Sequence, residues 1–218
     1  MTVFYLIRHG TTDANASGRF QGSLDLPLNA IGLKQAAYLG ERFKNIPIDF
    51  LYASPLTRAI QTAKGLRGNV HRLPISIEKE LAEVDGGLIE GKLISEIDAA
   101  YPGLMETFRT DLPHFNSPGG ESTRDVYNRM VSVINRIVTR HPGKTIACVS
   151  HGFAIQTFLC WAEGTPFEQM RQHILGNTGV CRFIFDGNAL PQIDYIGDES
   201  HLPDDLHFAQ PGGFRVDE

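Results

Sequence analysis

No stretch of the 218 residues stays apolar over the roughly 20 positions that a membrane-spanning helix requires, and the N-terminus lacks the basic-then-apolar pattern of a secretory leader. An excess of positive charge is also missing: 20 Lys and Arg stand against 25 Asp and Glu, for a net charge of −5. A general nucleic-acid binder would instead carry a basic patch or stripe. Cysteine is scarce, with only Cys148, Cys160 and Cys181, an odd number among apolar neighbours. Such a set makes no disulfide framework and reads as reduced core thiols in a cytoplasmic protein. There is no low-complexity linker and no internal repeat, so the expectation is a single domain over residues 1–218.

What the sequence does contain is an alternation of strand and helix signals. Residues 2–7 are β-branched or aromatic without a polar break, the pattern of a strand buried on both faces. Residues 10–28 are polar and rich in Gly and Asp, a long loop. Asn29 then caps a helix with Ile31, Leu33, Ala36, Ala37, Leu39 and Phe43 as its predicted apolar face. A second strand is expected over 48–53, a helix over 57–66 and a third strand over 73–78. Residues 82–121 change character, with several Gly and Pro and a short helical piece near 94–101, and read as an inserted cap of approximately 84–121. Val126, Met130, Val133, Ile134, Ile137 and Val138 recur at helical spacing in a helix over 121–140 that Ser122 or Thr123 can cap. A fourth buried strand over 145–149, a buried helix over 153–161 and a hairpin of 180–185 with 192–196 complete the pattern, followed by an irregular tail of approximately 198–218. The expected fold class is α/β: a three-layer α/β/α sandwich with a mostly parallel central sheet and an inserted helical and loop cap.

Two of these strands end alike, one in Arg8-His9-Gly10 and the other in Ser150-His151-Gly152. Ligands of an open parallel sheet sit beyond the carboxyl ends of its strands, so both His-Gly pairs are expected in one crevice. Arg58 opens the helix after the second strand and faces the same crevice, where the helix N-terminal amides favour an anion. Two guanidinium forks and two imidazoles make a cradle for a phosphate dianion, because arginine matches phosphate bidentately and does not titrate.

The eight residues from Arg8 to Asn15 resemble the R-H-G-x-T-x-x-N signature of the histidine phosphatase superfamily, also called phosphoglycerate-mutase-like. The resemblance continues in the family's order from about residue 3 to residue 185. It takes in Gln21-Gly22, the run from Asp25 to Asn29, Gly32 and Gln35-Ala36, then Ser54 to Ala63, and Leu81-Ala82-Glu83 with Gly87 and Glu90-Gly91. Pro118-Gly119-Gly120-Glu121-Ser122 is similar to a string of the small phosphatase branch, which includes broad-specificity and α-ribazole phosphatases. Ile89 and Gln156 stand where the family often has an aromatic residue and an arginine.

The resemblance implies a metal-independent phosphomonoester hydrolase acting on small phosphorylated metabolites, with neither cofactor nor metal and no nucleic-acid or membrane partner. His9 would be the nucleophile and Glu83 the general acid and then base. Arg8, Arg58 and His151 would hold the phosphoryl oxygens, with Asn15, Gln21 and Gly22 also touching phosphate or substrate. The remaining histidines, His71, His114, His141, His173, His201 and His207, have no metal-ligand spacing and read as surface or structural residues. Asn177-Thr178-Gly179 reads as a turn, with a reach to the crevice from its far side as the alternative. A cofactor-dependent phosphoglycerate mutase is the alternative, and a phosphate-binding protein without turnover a further one. A mutase needs extra cations in its cap, whereas residues 92–120 hold only Lys92, Arg109 and His114.

Overall fold

The computed structural model describes residues 1–68, 73–173 and 175–207, so His71 and the last eleven residues of the expected tail lie outside the described residues. Six strands form one sheet: β1 (Thr2–Arg8), β2 (Phe50–Ala53), β3 (Ile75–Ile77), β4 (Thr145–Ser150), β5 (Val180–Phe185) and β6 (Gln192–Asp198). Their order is β3-β2-β4-β1-β5-β6. The first four strands in that order pair in parallel, and β5 and β6 add antiparallel neighbours at one side. The strong apolar run of β1 is explained by its place: it lies between β4 and β5 and is covered on both faces.

Alternation along β1 divides the interior in two. Phe4 and Leu6 face a core completed by α6 (Thr123–Arg140) and α7 (Gly152–Ala162), while Tyr5 and Ile7 face a second core under α2 (Ala30–Phe43) and α3 (Thr57–Arg67). This is the three-layer arrangement expected. Cys148, Cys160 and Cys181 are free and buried, and burial pushes the Cys181 thiol up to about 12. Among the described residues, no helix is long and apolar enough to cross a membrane.

Local chemistry fixes the helix ends. Asn29 Oδ1 accepts from Gly32 N at 2.9 Å, as its N-cap role predicts. Ser122, not Thr123, caps α6, and Asp125 bonds back to the Ser122 N–H to close a capping box. The loop expected over 10–28 contains one helical turn, α1 (Asp13–Ala16), closed by a Thr12–Asn15 capping box. The cap holds more helix than expected. Besides α4 (Ile94–Ala100) it contains α5 (Leu104–Thr110), which starts afresh after Gly103 at φ +82°. The tail keeps strand pairing through Asp198 and a 3-10 turn at Asp204–Leu206.

The face predicted for α2 needs correction. Ile31, Leu33 and Ala37 are exposed, and the buried stripe is Gly32, Gln35, Ala36, Leu39 and Phe43. An amphipathic count rewards apolar side chains, but close approach here favours small ones and a buried hydrogen-bonding one. A Cβ on Gly65 of α3 would lie 2.6 Å from Ala36 Cβ and from Ala36 O, so the two helices touch backbone to backbone. Gly65→Val should therefore destabilise the fold by about 1–3 kcal/mol through overpacking, read as a lower urea midpoint at unchanged m-value.

Candidate active site

Strand register builds the site. Arg8 pairs with Ser150 across β1 and β4, and the ladder continues one step further, with His9 N donating to Ser150 O at 3.0 Å. The His9 and His151 rings consequently lie 5.0 Å apart between centroids. β2 ends beside them, and Ser54 N donates to Val149 O at 3.0 Å. The two His-Gly pairs do lie side by side at the strand ends.

His9 is 3 % exposed. Its Nδ1 lies 2.7 Å from Gly10 O, and a carbonyl only accepts, so Nδ1 carries the proton and Nε2 the lone pair. Among the described residues nothing pairs with Nε2. Burial, then Arg58, then Arg8 hold the His9 pKa well below its ordinary value, which keeps the ring neutral and Nε2 available for attack.

Arg58 is fully buried, with all its partners neutral. Nη2 donates to Gly22 O at 2.7 Å, Nη1 to Leu24 O at 2.5 Å, and Nε to His151 Nδ1 at 3.2 Å. The Gln21 carboxamide, oriented by its hydrogen bonds, turns Oε1 to Arg58 Nε at 2.6 Å and Nε2 to Thr12 Oγ1 at 2.5 Å. Burial lowers the Arg58 pKa to about 10, against the opposing charges of Glu83 and Asp25. Gly22 sits at φ +52°, and a Cβ there would lie 2.5 Å from Glu90 Oε1. Gln21 and Gly22 are therefore at the site, and they orient Arg58.

Arg8 is half-buried. Its Nη1 donates to Leu175 O, while Nε is buried without a hydrogen-bond partner. The guanidinium lies along Gly152, where a Cβ would stand 3.4 Å from Nε. Burial lowers the Arg8 pKa too. His151 is fully buried, with Nε2 2.7 Å from Ser54 Oγ and Nδ1 accepting from Arg58. Burial, Arg58 and His9 hold its pKa well below the usual imidazole range. Both its ring nitrogens are thus engaged within the protein, so it gives a proton to a ligand oxygen only when the ring is protonated and Arg58 Nε turns away.

Glu83 places its carboxylate on the first turn of α7. Oε1 accepts from Ala154 N at 3.0 Å and Oε2 from Phe153 N at 3.2 Å, next to His151 and Gly152 in sequence. Asn15 Oδ1 is held by Thr12 N and Oγ1, and its amide nitrogen has no partner among the described residues. Thr12 links Asn15 to Gln21 and so to Arg58. The anion that the start of α3 favours is supplied by the protein: the Asp25 carboxylate accepts from Thr57 N at 2.6 Å and Thr57 Oγ1 at 2.9 Å. The helix N-terminus already has its anion.

Several supporting residues carried no role in the sequence reading. Asn177 Nδ2 donates to His9 O at 2.9 Å, and Thr178, at φ +60°, directs its N–H to the same carbonyl. The apparent turn is thus a clamp on the His9 backbone. Gln35 is fully buried and accepts from Thr11 N and Thr11 Oγ1 while donating to Leu206 O. Glu90 accepts from Ser23 N, Ser23 Oγ and Gly86 N, which secures the Gln21-Gly22 loop. Of the two departures from the family pattern, Ile89 is fully buried in the core, and Gln156 bonds the backbone of Arg171 and His173. Among the described residues no group of three or more His, Cys, Asp and Glu is arranged to hold a metal.

The sequence profile of the histidine phosphatase superfamily (branch 1) matches residues 4–198, and the chain belongs to that superfamily. "Phosphoglycerate mutase-like protein 4" of Arabidopsis thaliana is 33% identical over 95% of this chain and 89% of its own length. "Phosphoserine phosphatase 1" of Hydrogenobacter thermophilus is 34% identical over 78% of this chain and 80% of its own. Among solved structures, YhfR of Bacillus stearothermophilus superimposes with a TM-score of 0.86 at 33% identity, covering 92% of this chain and 99% of that one.

The electrostatics set a pH dependence of stability. His9 and His151 are held neutral in the fold but bind a proton below about pH 6.5 when unfolded. The unfolded state then binds more protons, so stability falls as pH drops below about 6.5, by up to about 1.4 kcal/mol per pH unit for each such ring. Urea midpoints measured from pH 7.5 to 5.5 should fall accordingly, and His9→Ala should reduce the slope. An equal slope in that variant would show that His9 is not kept neutral.

Proposed function

We infer that the protein is a phosphomonoester hydrolase that works through a phosphohistidine at His9, without a metal, on small phosphorylated metabolites. The observation that carries this reading is the neutral His9 Nε2, unpaired and flanked by Arg8 and by an Arg58 that no carboxylate touches. Arg8 and Arg58 supply the positive charge that a phosphoryl group in transfer requires. The arriving dianion favours a protonated His151, whose Nδ1–H then adds a donor to the phosphoryl oxygens. Asn15 offers its amide N–H, while Gln21 and Gly22 hold Arg58 in place.

In the first step the His9 Nε2 lone pair forms a bond to phosphorus in line with the ester bond. The P–O bond breaks, its electrons go to the alcohol oxygen, and Glu83 gives that oxygen its proton. In the second step water attacks phosphorus and gives a proton to Glu83. The P–N bond breaks, its electrons return to Nε2, and inorganic phosphate leaves. The chain is read as one domain whose cap, approximately 84–121, covers the leaving-group side. The buried, unpaired thiols support a reducing, cytoplasmic setting.

The mutase-like name of one relative favours a second reading, phosphoryl transfer back to a sugar-acid hydroxyl. The cap argues for hydrolysis. Lys92 Nζ stands over the Tyr101 ring at 5.9 Å, Arg109 faces Asp98 at 3.9 Å, and His114 bonds Asp111 at 2.8 Å. Each cation available in residues 92–120 already has a partner where a second phosphate would need one.

Wild-type protein should release p-nitrophenol from p-nitrophenyl phosphate in excess EDTA and form an acid-labile phosphoenzyme on rapid quench. His9→Ala should lose at least about 10³-fold in rate and all of the phosphoenzyme. A phosphoenzyme that survives in His9→Ala would sink the nucleophile assignment. Conversion of 3- to 2-phosphoglycerate exceeding hydrolysis, with 2,3-bisphosphoglycerate present, would favour the mutase.

A further inference from the structure

Residues 80–83 have an unusual property: four consecutive backbone carbonyls are each held by a side chain from elsewhere in the fold. Arg129 Nη1 donates to Glu80 O and Ala82 O, both at 2.7 Å, and Arg129 Nη2 donates to Glu83 O at 3.0 Å. Ser150 Oγ donates to the carbonyl between them, Leu81 O, at 2.8 Å. The remaining Arg129 donors go to Glu121, Nε to Oε1 at 2.8 Å and Nη2 to Oε2 at 2.9 Å. All five N–H groups of the guanidinium are therefore used, in one plane. Glu121 also fixes the far side of the segment, accepting from Asp85 N at 2.9 Å.

We propose that Arg129 and Ser150 are positioning residues for Glu83, setting where its proton meets the leaving oxygen. The inference rests on the acid role of Glu83 given above. Glu83 is pinned at both ends: its carbonyl lies in the Arg129 fork, and its carboxylate on the α7 amides. A proton donor displaced by a fraction of an ångström loses much of its effect, because the donor must lie within hydrogen-bond reach of the oxygen it serves. Ser150 adjoins His151 and pairs with Arg8 across the sheet, so its hydroxyl couples the position of the acid to that of the phosphate site. Nothing in the sequence pattern marks Arg129, which lies among the polar positions of an amphipathic helix.

The test compares kcat/KM for p-nitrophenyl phosphate, whose leaving group needs little protonation, with that for glycerol phosphate, whose leaving group needs it. Glu83→Gln should lose far more on glycerol phosphate. Arg129→Gln should follow the same pattern, with a loss about tenfold greater on glycerol phosphate than on the nitrophenyl ester. Combining it with Glu83→Gln should cost little beyond Glu83→Gln alone. Arg129→Lys keeps the positive charge but not the planar fork, and should be impaired as Arg129→Gln is. Should Arg129→Gln not fold, Ser150→Ala, which removes one oxygen, reads the same ratio and should shift it in the same direction. Equal losses on both esters in the Arg129 and Ser150 variants, with Glu83→Gln still selective, would overturn the positioning role and leave the acid standing. Full activity in Arg129→Lys would overturn it as well. Equal losses in Glu83→Gln itself would overturn both.

Discussion

The constraint on which this structure turns is the burial of the Arg58 guanidinium with no carboxylate touching it. A cation taken out of water costs several kcal/mol unless dipoles or charge replace the lost hydration. Here the replacement is dipolar: two loop carbonyls, a carboxamide oxygen and an imidazole nitrogen. That solution dictates much of the surrounding chain. The loop must bend sharply at Gly22 to present its carbonyl, Glu90 must hold that bend, and His151 must stay neutral to offer a lone pair. The positive charge left over acts on both histidines and adds to the larger effect of burial in opposing their protonation.

A parallel sheet suits such a site because its strands end together. β1, β2 and β4 stop within one residue of each other in register, so Arg8-His9, Ser54 and Ser150-His151 emerge side by side from an apolar interior. The turn at Asn177 and Thr178, just before β5, reaches across to the His9 carbonyl. His9 is consequently held from the end of β4 and from the turn before β5, with Nε2 left open.

The strand ends, the meeting of Arg8, His9, Arg58 and His151 at them, and the capped helices were legible in the sequence because each rests on local chemistry: an apolar run that stops, a glycine that permits a turn, a side chain that caps. Glu83 was marked only by the family resemblance. The parts that were not legible depend on what meets what at long range. Nothing local says that Gln35 faces inward while Leu33 faces water, since the answer lies in how closely α2 approaches α3 and Thr11. The α3 amides looked available because Asp25, 32 residues away, cannot be seen to reach Thr57 from spacing alone. Arg129 meets the backbone of a segment 46 residues earlier in the chain, and backbone carbonyls have no sequence identity to read.

The placement of the Glu83 carboxylate on the first turn of α7 has a consequence for how such a protein can change over time. The carboxylate proposed to serve the leaving alcohol is mounted on the same few residues, 150–154, that carry the second histidine. The cap helices α4 and α5 supply none of these attachments. On the proposed reading, drift in α4 and α5 can therefore alter which alcohol is admitted without throwing the reacting groups out of alignment. The architecture separates the choice of customer from the machinery that serves it, which lets one set of reacting groups persist while the range of esters they meet is revised.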